Sequence, residues 1–430
     1  MPSFTLAEPL PARALGGNDY KTLALSALGG ALEFYDFIIF VFFATTIGKL
    51  FFPPEIPDWV RQLQTFGIFA AGYLARPLGG VVMAHFGDLL GRKKMFTLSI
   101  LMMAIPTLLM GVLPTYATAG LLAPVLLLVL RLLQGAAVGG EVPGAWVFVA
   151  EHVPANRIGY AGGMLTGGLT SGILLGSLVA TAVNSHFDAQ ALLETGWRVP
   201  FLLGGVFGLC AMFLRQWLEE TPVFIEMKRN KALAAEVPLK AVVRDHRAAV
   251  VISMLLTWML SAAIVTVILL TPTFLQKLYG FDAPTALRAN SVATLTLTIG
   301  CVIWGAIVDR LGAARAMLIG ALCLALCSWL FYTGVRRDPT LLMPLYGLAG
   351  FAVGVIGVVP YAMVQLFPPA VRFSGLSFSY NLSYAIFGGL TPMIVTLWLK
   401  SDSLAPSHYV VTLALVGAAT AFLLPRKPMR

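Results

Sequence analysis

Twelve stretches of the chain are apolar for close to the roughly 20 residues that a helix needs to cross a bilayer. They lie near 23–50, 62–85, 95–113, 119–151, 158–184, 198–217, 248–276, 289–308, 315–335, 340–366, 373–399 and 408–424. In hydrocarbon each backbone N–H and C=O must find its partner inside the protein, so apolar stretches of this length become helices. The reading that follows is an all-α polytopic membrane protein. Composition agrees: 58% of the 430 residues are hydrophobic and only 11% are charged, against about 25% charged in a typical soluble domain. So few charged side chains cannot cover the surface of a soluble chain this long, which excludes soluble enzymes, nucleic-acid binders and disordered scaffolds.

The net charge of +9 has a simple source in such a protein. Lys and Arg collect in cytoplasmic loops. With both termini inside, most of the 29 basic residues fall on one face, including Arg92, Lys93, Lys94, the 228–247 segment, Arg426, Lys427 and Arg430. The expected organisation is a tail (1–21), six spans (22–217), a polar loop (218–247), six more spans (248–424) and a short tail (425–430). The first twenty residues lack the apolar core of a signal peptide. Cys210, Cys301, Cys323 and Cys327 sit in apolar runs as small hydrophobes. No CxxC occurs, none of the five His residues forms a pair with metal-ligand spacing, and no P-loop, HExxH or GxSxG occurs. Neither a metal nor a cofactor is expected, and an ATP-driven pump or a zinc protease is disfavoured.

The chain carries an internal repeat. GDLLGRKK (Gly87–Lys94) follows span two, and VDRLGAAR (Val308–Arg315) follows span eight. Aligning Asp88 with Asp309 aligns Gly91 with Gly312, about half a chain apart. The pair resembles the loop signature Gly-x-x-x-Asp-Arg-x-Gly-Arg-Lys of the major facilitator superfamily. The first copy has Ala84 and Leu89 where the signature has Gly and Arg. The second keeps Gly305, Asp309, Arg310 and Gly312 but has Ala313 for the usual Arg. LEFYDF (Leu32–Phe37), RPLGG (Arg76–Gly80), RLLQG (Arg131–Gly135), AEHVP (Ala150–Pro154), GWRVPF (Gly196–Phe201), EETPVF (Glu219–Phe224) and FGGLTP (Phe387–Pro392) resemble the metabolite:proton symporter family. The resemblance implies twelve helices in two pseudo-symmetric halves. It also implies proton-driven uptake of organic acids or of zwitterions such as proline and betaine, across a bacterial inner membrane, by a protein that works as a monomer.

Charges inside the membrane are costly and mark function. The interiors of spans seven to twelve carry none. Glu33 and Asp36 on span one, Arg76 on span two, and Arg131 and Glu141 on span four therefore concentrate the chemistry in the first half. At 1.5 Å per residue, Glu33, Arg76 and Glu141 all lie roughly 15 Å from one face, with Asp36 about 5 Å deeper. Arg76 is thus an expected partner for Glu33, Asp36 or Glu141. A carboxylate beside Arg stays charged, whereas one that loses its Arg to a substrate takes up a proton. Asp36, Glu33 and Glu141 are the candidate proton carriers. Arg76 and Arg131 are the candidate anion contacts, because Arg forks suit carboxylates, with Tyr35 of LEFYDF and Gln134 of RLLQG as further candidate substrate contacts. Tyr380, Asn381 and Trp258 are candidate contacts in the neutral half. Two Arg residues point towards a di- or tricarboxylate; three acids leave a zwitterion open, and a proton antiporter is the runner-up in mechanism.

The resemblance also assigns a gate to Asp88, Arg92, Glu151, Asp309 and Arg310. The counterparts of Arg92 and Glu151 in the second copy are Ala313 and Gln365, so the ionic latch is expected mainly in the first half, with Asp309 and Arg310 contributing less. Span five has glycines at spacing four (Gly159, Gly163, Gly167; Gly168, Gly172, Gly176), which let helices approach closely.

Overall fold

The computed structural model describes residues 13–215 and 238–425, apart from Gly91, Gly140 and residues 369–370; at Asn18, Thr22, Glu33, Glu141 and His152, and through 81–97, 99–100, 214–215 and 238–241, it describes the backbone and not the side chains. The described helices group into twelve rods, which we number as spans. Span 1 is Gly17–Phe42, resumed as Ala44–Phe51. Spans 2 and 3 are Asp58–Leu90 and Arg92–Val112. Span 4 joins Leu122–Val138 to Glu141–His152. Spans 5 and 6 are Ile158–His186 and Arg198–Arg215. Span 7 runs Arg247–Leu278, span 8 Ala283–Leu311, span 9 Ala313–Arg337 and span 10 Pro339–Leu366. Span 11 joins Arg372–Ser383 to Gly389–Trp398 through one widened turn, and span 12 begins as Ala405–Thr420. The described part of the polar stretch between the halves contains a short helix, Pro238–Asp245.

The neighbours repeat with a period of six. In the first half span 1 packs on 5 and 6, span 2 on 4, and span 3 on 6. In the second half span 7 packs on 11 and 12, span 8 on 10, and span 9 on 12. Spans 5 and 8, and spans 2 and 11, join the halves. The two glycine series on span 5 explain why it can do both jobs. Positions nine apart lie on opposite sides of a helix with about 3.6 residues per turn. Gly159, Gly163 and Gly167 press against the span 8 backbone at Gly305, Cys301 and Thr298. Gly168 and Gly172 press against Ala27 and Ala31 of span 1. One stripe therefore builds the first half and the other meets the second half. The motif glycines act likewise between spans 2 and 4: a Cβ on Gly79 would overlap the Ala136 carbonyl, and one on Gly135 the Gly72 carbonyl.

Span 7 is widened into π-helical turns over Ala263–Leu270, just before Pro272. A proline in a helix withholds its N–H and crowds the carbonyl of residue i−4, which here is Ile268. Side chains from neighbouring spans and from span 7 itself satisfy the freed groups, as they must in a membrane. Asn290 donates to the Ile268 carbonyl (2.6 Å), Tyr346 to that of Val267 (2.7 Å) and Thr271 to that of Thr266 (3.0 Å). Outward-facing positions stay apolar: Leu78, Leu121, Leu326 and Phe422 are all more than half exposed, as a lipid-facing surface requires.

Candidate functional site

A narrow cavity lies between the halves, walled by Phe34 and Phe37 of span 1, Tyr73 and Arg76 of span 2, Val138 and Val142 of span 4, Ile264 of span 7 and Tyr384 of span 11. Arg76 is its charge. The guanidinium is 3% exposed and sits in a box of rings, 4.8 Å from the centre of Tyr384, 5.2 Å from Tyr73, 5.6 Å from Tyr380 and 6.0 Å from Phe37. Tyr73 and Tyr384 stack with their centres 5.4 Å apart, so the box spans both halves. Aromatic faces hold a cation by their quadrupole. Among the described residues no carboxylate lies within ion-pair range of Arg76. Tyr73 is one turn before Arg76, and its periodicity is the signal by which the sequence could have marked it.

A second polar compartment lies behind Phe37, inside the first half. Asp36 is 1% exposed, and neither carboxylate oxygen has a hydrogen-bond partner among the described residues. It projects towards Gly204 and Gly208 of span 6, whose missing Cβ atoms make the room. Arg131 is fully buried and ringed by Phe37, Phe40 and Phe69. It donates to the Phe37 carbonyl (3.1 Å) and to Gln134 (2.8 Å), and Gln134 donates to Thr107 (2.6 Å). Arg131 keeps Nε and Nη2 without a partner. The Tyr35 hydroxyl donates to the Pro200 carbonyl (2.8 Å), tying span 1 to span 6.

The expected pairing of Arg76 with Asp36 is therefore not present. Successive residues turn by about 100° around a helix, so Phe37 faces the cavity while Asp36 faces span 6. Arg131, Gln134 and Tyr35, expected as substrate contacts, stand behind the cavity wall. In the second half Tyr380 reaches the Arg76 box. Asn381 donates to the Ser377 carbonyl (2.9 Å) and to that of Gly139 on span 4, bridging the halves. Trp258 stacks on Phe387 and donates to the Tyr409 hydroxyl (3.2 Å), packed inside the second half and off the cavity wall. The side chains of Glu33 and Glu141 lie outside the described residues.

Contacts between the halves lie at both ends of their interface. At the face that carries the chain ends, Asp309 accepts from the backbone N–H groups of Gly159 (2.7 Å) and Tyr160 (2.8 Å), capping span 5. Beside it Glu151 of span 4 meets Arg372 of span 11 at 3.6 Å. At the opposite face Lys277 donates to Gln62 (2.7 Å), and the Lys400 ammonium lies 3.2 Å from the centre of the Trp59 ring. Asp309 is thus engaged at the interface between halves: a carboxylate on a helix N-terminus makes charge-assisted bonds and meets the positive end of the dipole. Arg372 was missed, although it stands in VQLFPPAVR next to the Gln365 substitution. Arg310 turns away from the interface, towards a groove between spans 8 and 9. Asp88 and Arg92 have side chains outside the described residues. Asp309→Asn should weaken the contacts at the terminal face, so a cysteine lining the cavity should be labelled several-fold faster from that side; equal labelling would show that the cap holds nothing shut.

Two six-span halves around a central cavity, with contacts between the halves at both faces, have the architecture of a membrane carrier. The chain belongs to the major facilitator superfamily, whose family model matches residues 27–392. It is a multi-pass membrane transporter and not an enzyme. It is 31% identical over 402 residues to a putative proline/betaine transporter of Staphylococcus aureus (strain COL), covering 92% of this chain and 86% of that one. It is 32% identical over 418 residues to a citrate-proton symporter of Klebsiella pneumoniae, covering 96% and 93%. Among solved structures it superposes on a proton:xylose symporter, XylE, with a TM-score of 0.75 at 18% identity, covering 94% of each chain.

Proposed function

We propose that this protein drives uptake of a small carboxylate-bearing solute by proton symport, with its chain ends in the cytoplasm of a bacterium and the cavity alternating between the two faces. The observation that carries this reading is the pair of charged groups on either side of Phe37 that have no ion-pair partner among the described residues. Arg76 waits in the cavity without an acidic partner among the described residues, and Asp36 lies behind it without any partner. A carboxylate buried unpaired costs far more than a neutral carboxylic acid, so the arrangement suits an Asp36 that carries a proton. No interaction joins Asp36 to Arg131 in this state; an approach of the two when Asp36 releases its proton would let Arg131 balance the negative charge. Phe37 touches both guanidiniums, and its carbonyl anchors Arg131. A substrate that displaces Phe37 on binding Arg76 would thereby change the distance between Arg131 and Asp36, which couples the two loads.

The cavity favours one carboxylate over three. Its wall offers a single Arg among the described residues, and Arg131 is committed behind the wall. The aromatic box around that Arg would accept a methylated or cationic end next to the carboxylate. This weighs towards a betaine- or proline-like zwitterion, the substrate class named for one set of relatives, and against a tricarboxylate, named for another. A ligand panel on the purified protein tests the choice: betaine-type zwitterions should raise Tm and citrate should leave it unchanged. Stabilisation by citrate alone would reverse the substrate assignment. Uptake into proteoliposomes under an inward proton gradient distinguishes symport from antiport.

A further inference from the structure

Arg310 follows Asp309 in sequence, yet the two side chains serve different surfaces. Asp309 is engaged with span 5, whereas Arg310 is exposed on the outer side of span 8. There it borders an open groove walled by Trp304, Ile307 and Leu311 of span 8 and by Ile319 of span 9. Trp304, Ile307 and Leu311 recur at three- and four-residue spacing and so share one face of the helix. Ile319 is half exposed, while Trp304 is 5% exposed and its indole N–H has no partner among the described residues. The lining below Arg310 is wholly apolar, and Arg310 stands one residue from the end of span 8. The start of span 9 is basic as well, with Arg315 exposed. The Ala314 N–H donates to the Pro425 carbonyl (3.4 Å), and Arg426 and Lys427 follow in sequence.

We infer that this groove is a binding site for an anionic phospholipid of the leaflet facing the chain ends, with the phosphate on Arg310 and one acyl chain along the trough between spans 8 and 9. The charge complementarity is specific: a cation at headgroup level above an apolar trough matches a lipid that is negative at one end and hydrocarbon below. Basic pockets between helices at this level take anionic headgroups, and guanidiniums reach them by extending along the apolar surface. A phospholipid commits the site to the bilayer; free phosphate would use Arg310 and leave the trough empty. The inference does not depend on which solute the cavity carries.

Native mass spectrometry of the purified full chain, titrated with phosphatidylglycerol or with phosphatidylcholine of identical acyl chains, tests it. The wild type should retain one phosphatidylglycerol in preference to phosphatidylcholine. Arg310→Gln should weaken that step about fivefold, the effect of removing one cation near a membrane surface. Ile319→Trp, which keeps the charge and fills the trough, should weaken it as much. Lys400→Gln, at the opposite face, should leave it unchanged. Equal retention of the two lipids by the wild type, or undiminished phosphatidylglycerol binding in both groove variants, would overturn the site. Loss in Arg310→Gln with none in Ile319→Trp would overturn it too, since it would reduce the site to a surface charge.

Discussion

Asp36→Asn should leave substrate binding intact and abolish proton-driven accumulation. With one proton per substrate, a gradient of one pH unit supplies about 1.4 kcal/mol and sustains about tenfold accumulation. The asparagine cannot exchange a proton, so the internal-to-external ratio should fall to about one, while exchange of labelled for unlabelled substrate persists. The substitution is nearly isosteric, and the space beside Gly204 and Gly208 admits it. The amide also adds two N–H donors to a compartment already short of acceptors, which should cost some stability. Measuring Tm alongside transport separates that cost from lost coupling. Undiminished accumulation in Asp36→Asn would move the proton to Glu33 or Glu141.

Arg76→Gln should weaken substrate binding more than any other change in the cavity. Removing one member of a buried charge pair costs about 2–5 kcal/mol, on the order of 30-fold or more in affinity. The loss should appear both in KM for uptake and in the ligand-induced rise of Tm. Arg76→Lys should recover part of it: the ammonium keeps the charge but loses the planar fork and much of the contact with Tyr73 and Tyr384. A tyrosine box that binds substrate directly predicts a further contrast. Tyr384→Phe should be mild for a zwitterion, because the ring face remains, and Tyr384→Leu should be severe. An Arg76→Gln protein with unchanged affinity would remove the cavity assignment altogether.

The limits of legibility are clearest in neighbouring residues. Asp36 and Phe37 are adjacent in LEFYDF, and the motif marked the acid but not the ring; the ring turned out to be the wall between the two charged compartments. Asp309 and Arg310 are adjacent in the second loop signature and were expected to act together. The structure sends one to the N-terminus of span 5 and the other to the lipid-facing groove. Arg76 and Asp36 lie at comparable depths, and depth was the only coordinate available for pairing them. Depth follows from counting residues along a helix, but pairing also needs the rotation of each helix about its axis. Trp258, chosen for its chemistry, is consumed by Phe387 and Tyr409 inside its own half.

By itself the sequence determined the all-helical membrane fold, the twelve spans, the doubling of a six-span unit and the small set of buried charges. Each of these is local: hydropathy over about 20 residues, a motif, a count of rare side chains. The tertiary structure decided which of those charges face one another. The rotation of every span is set by close contacts with several neighbours at once, as the two glycine stripes on span 5 show by seating it against span 1 on one side and span 8 on the other. No single segment encodes that rotation. It placed Arg76 in an aromatic box between the halves and turned Asp36, within the same short motif, into the interior of the first.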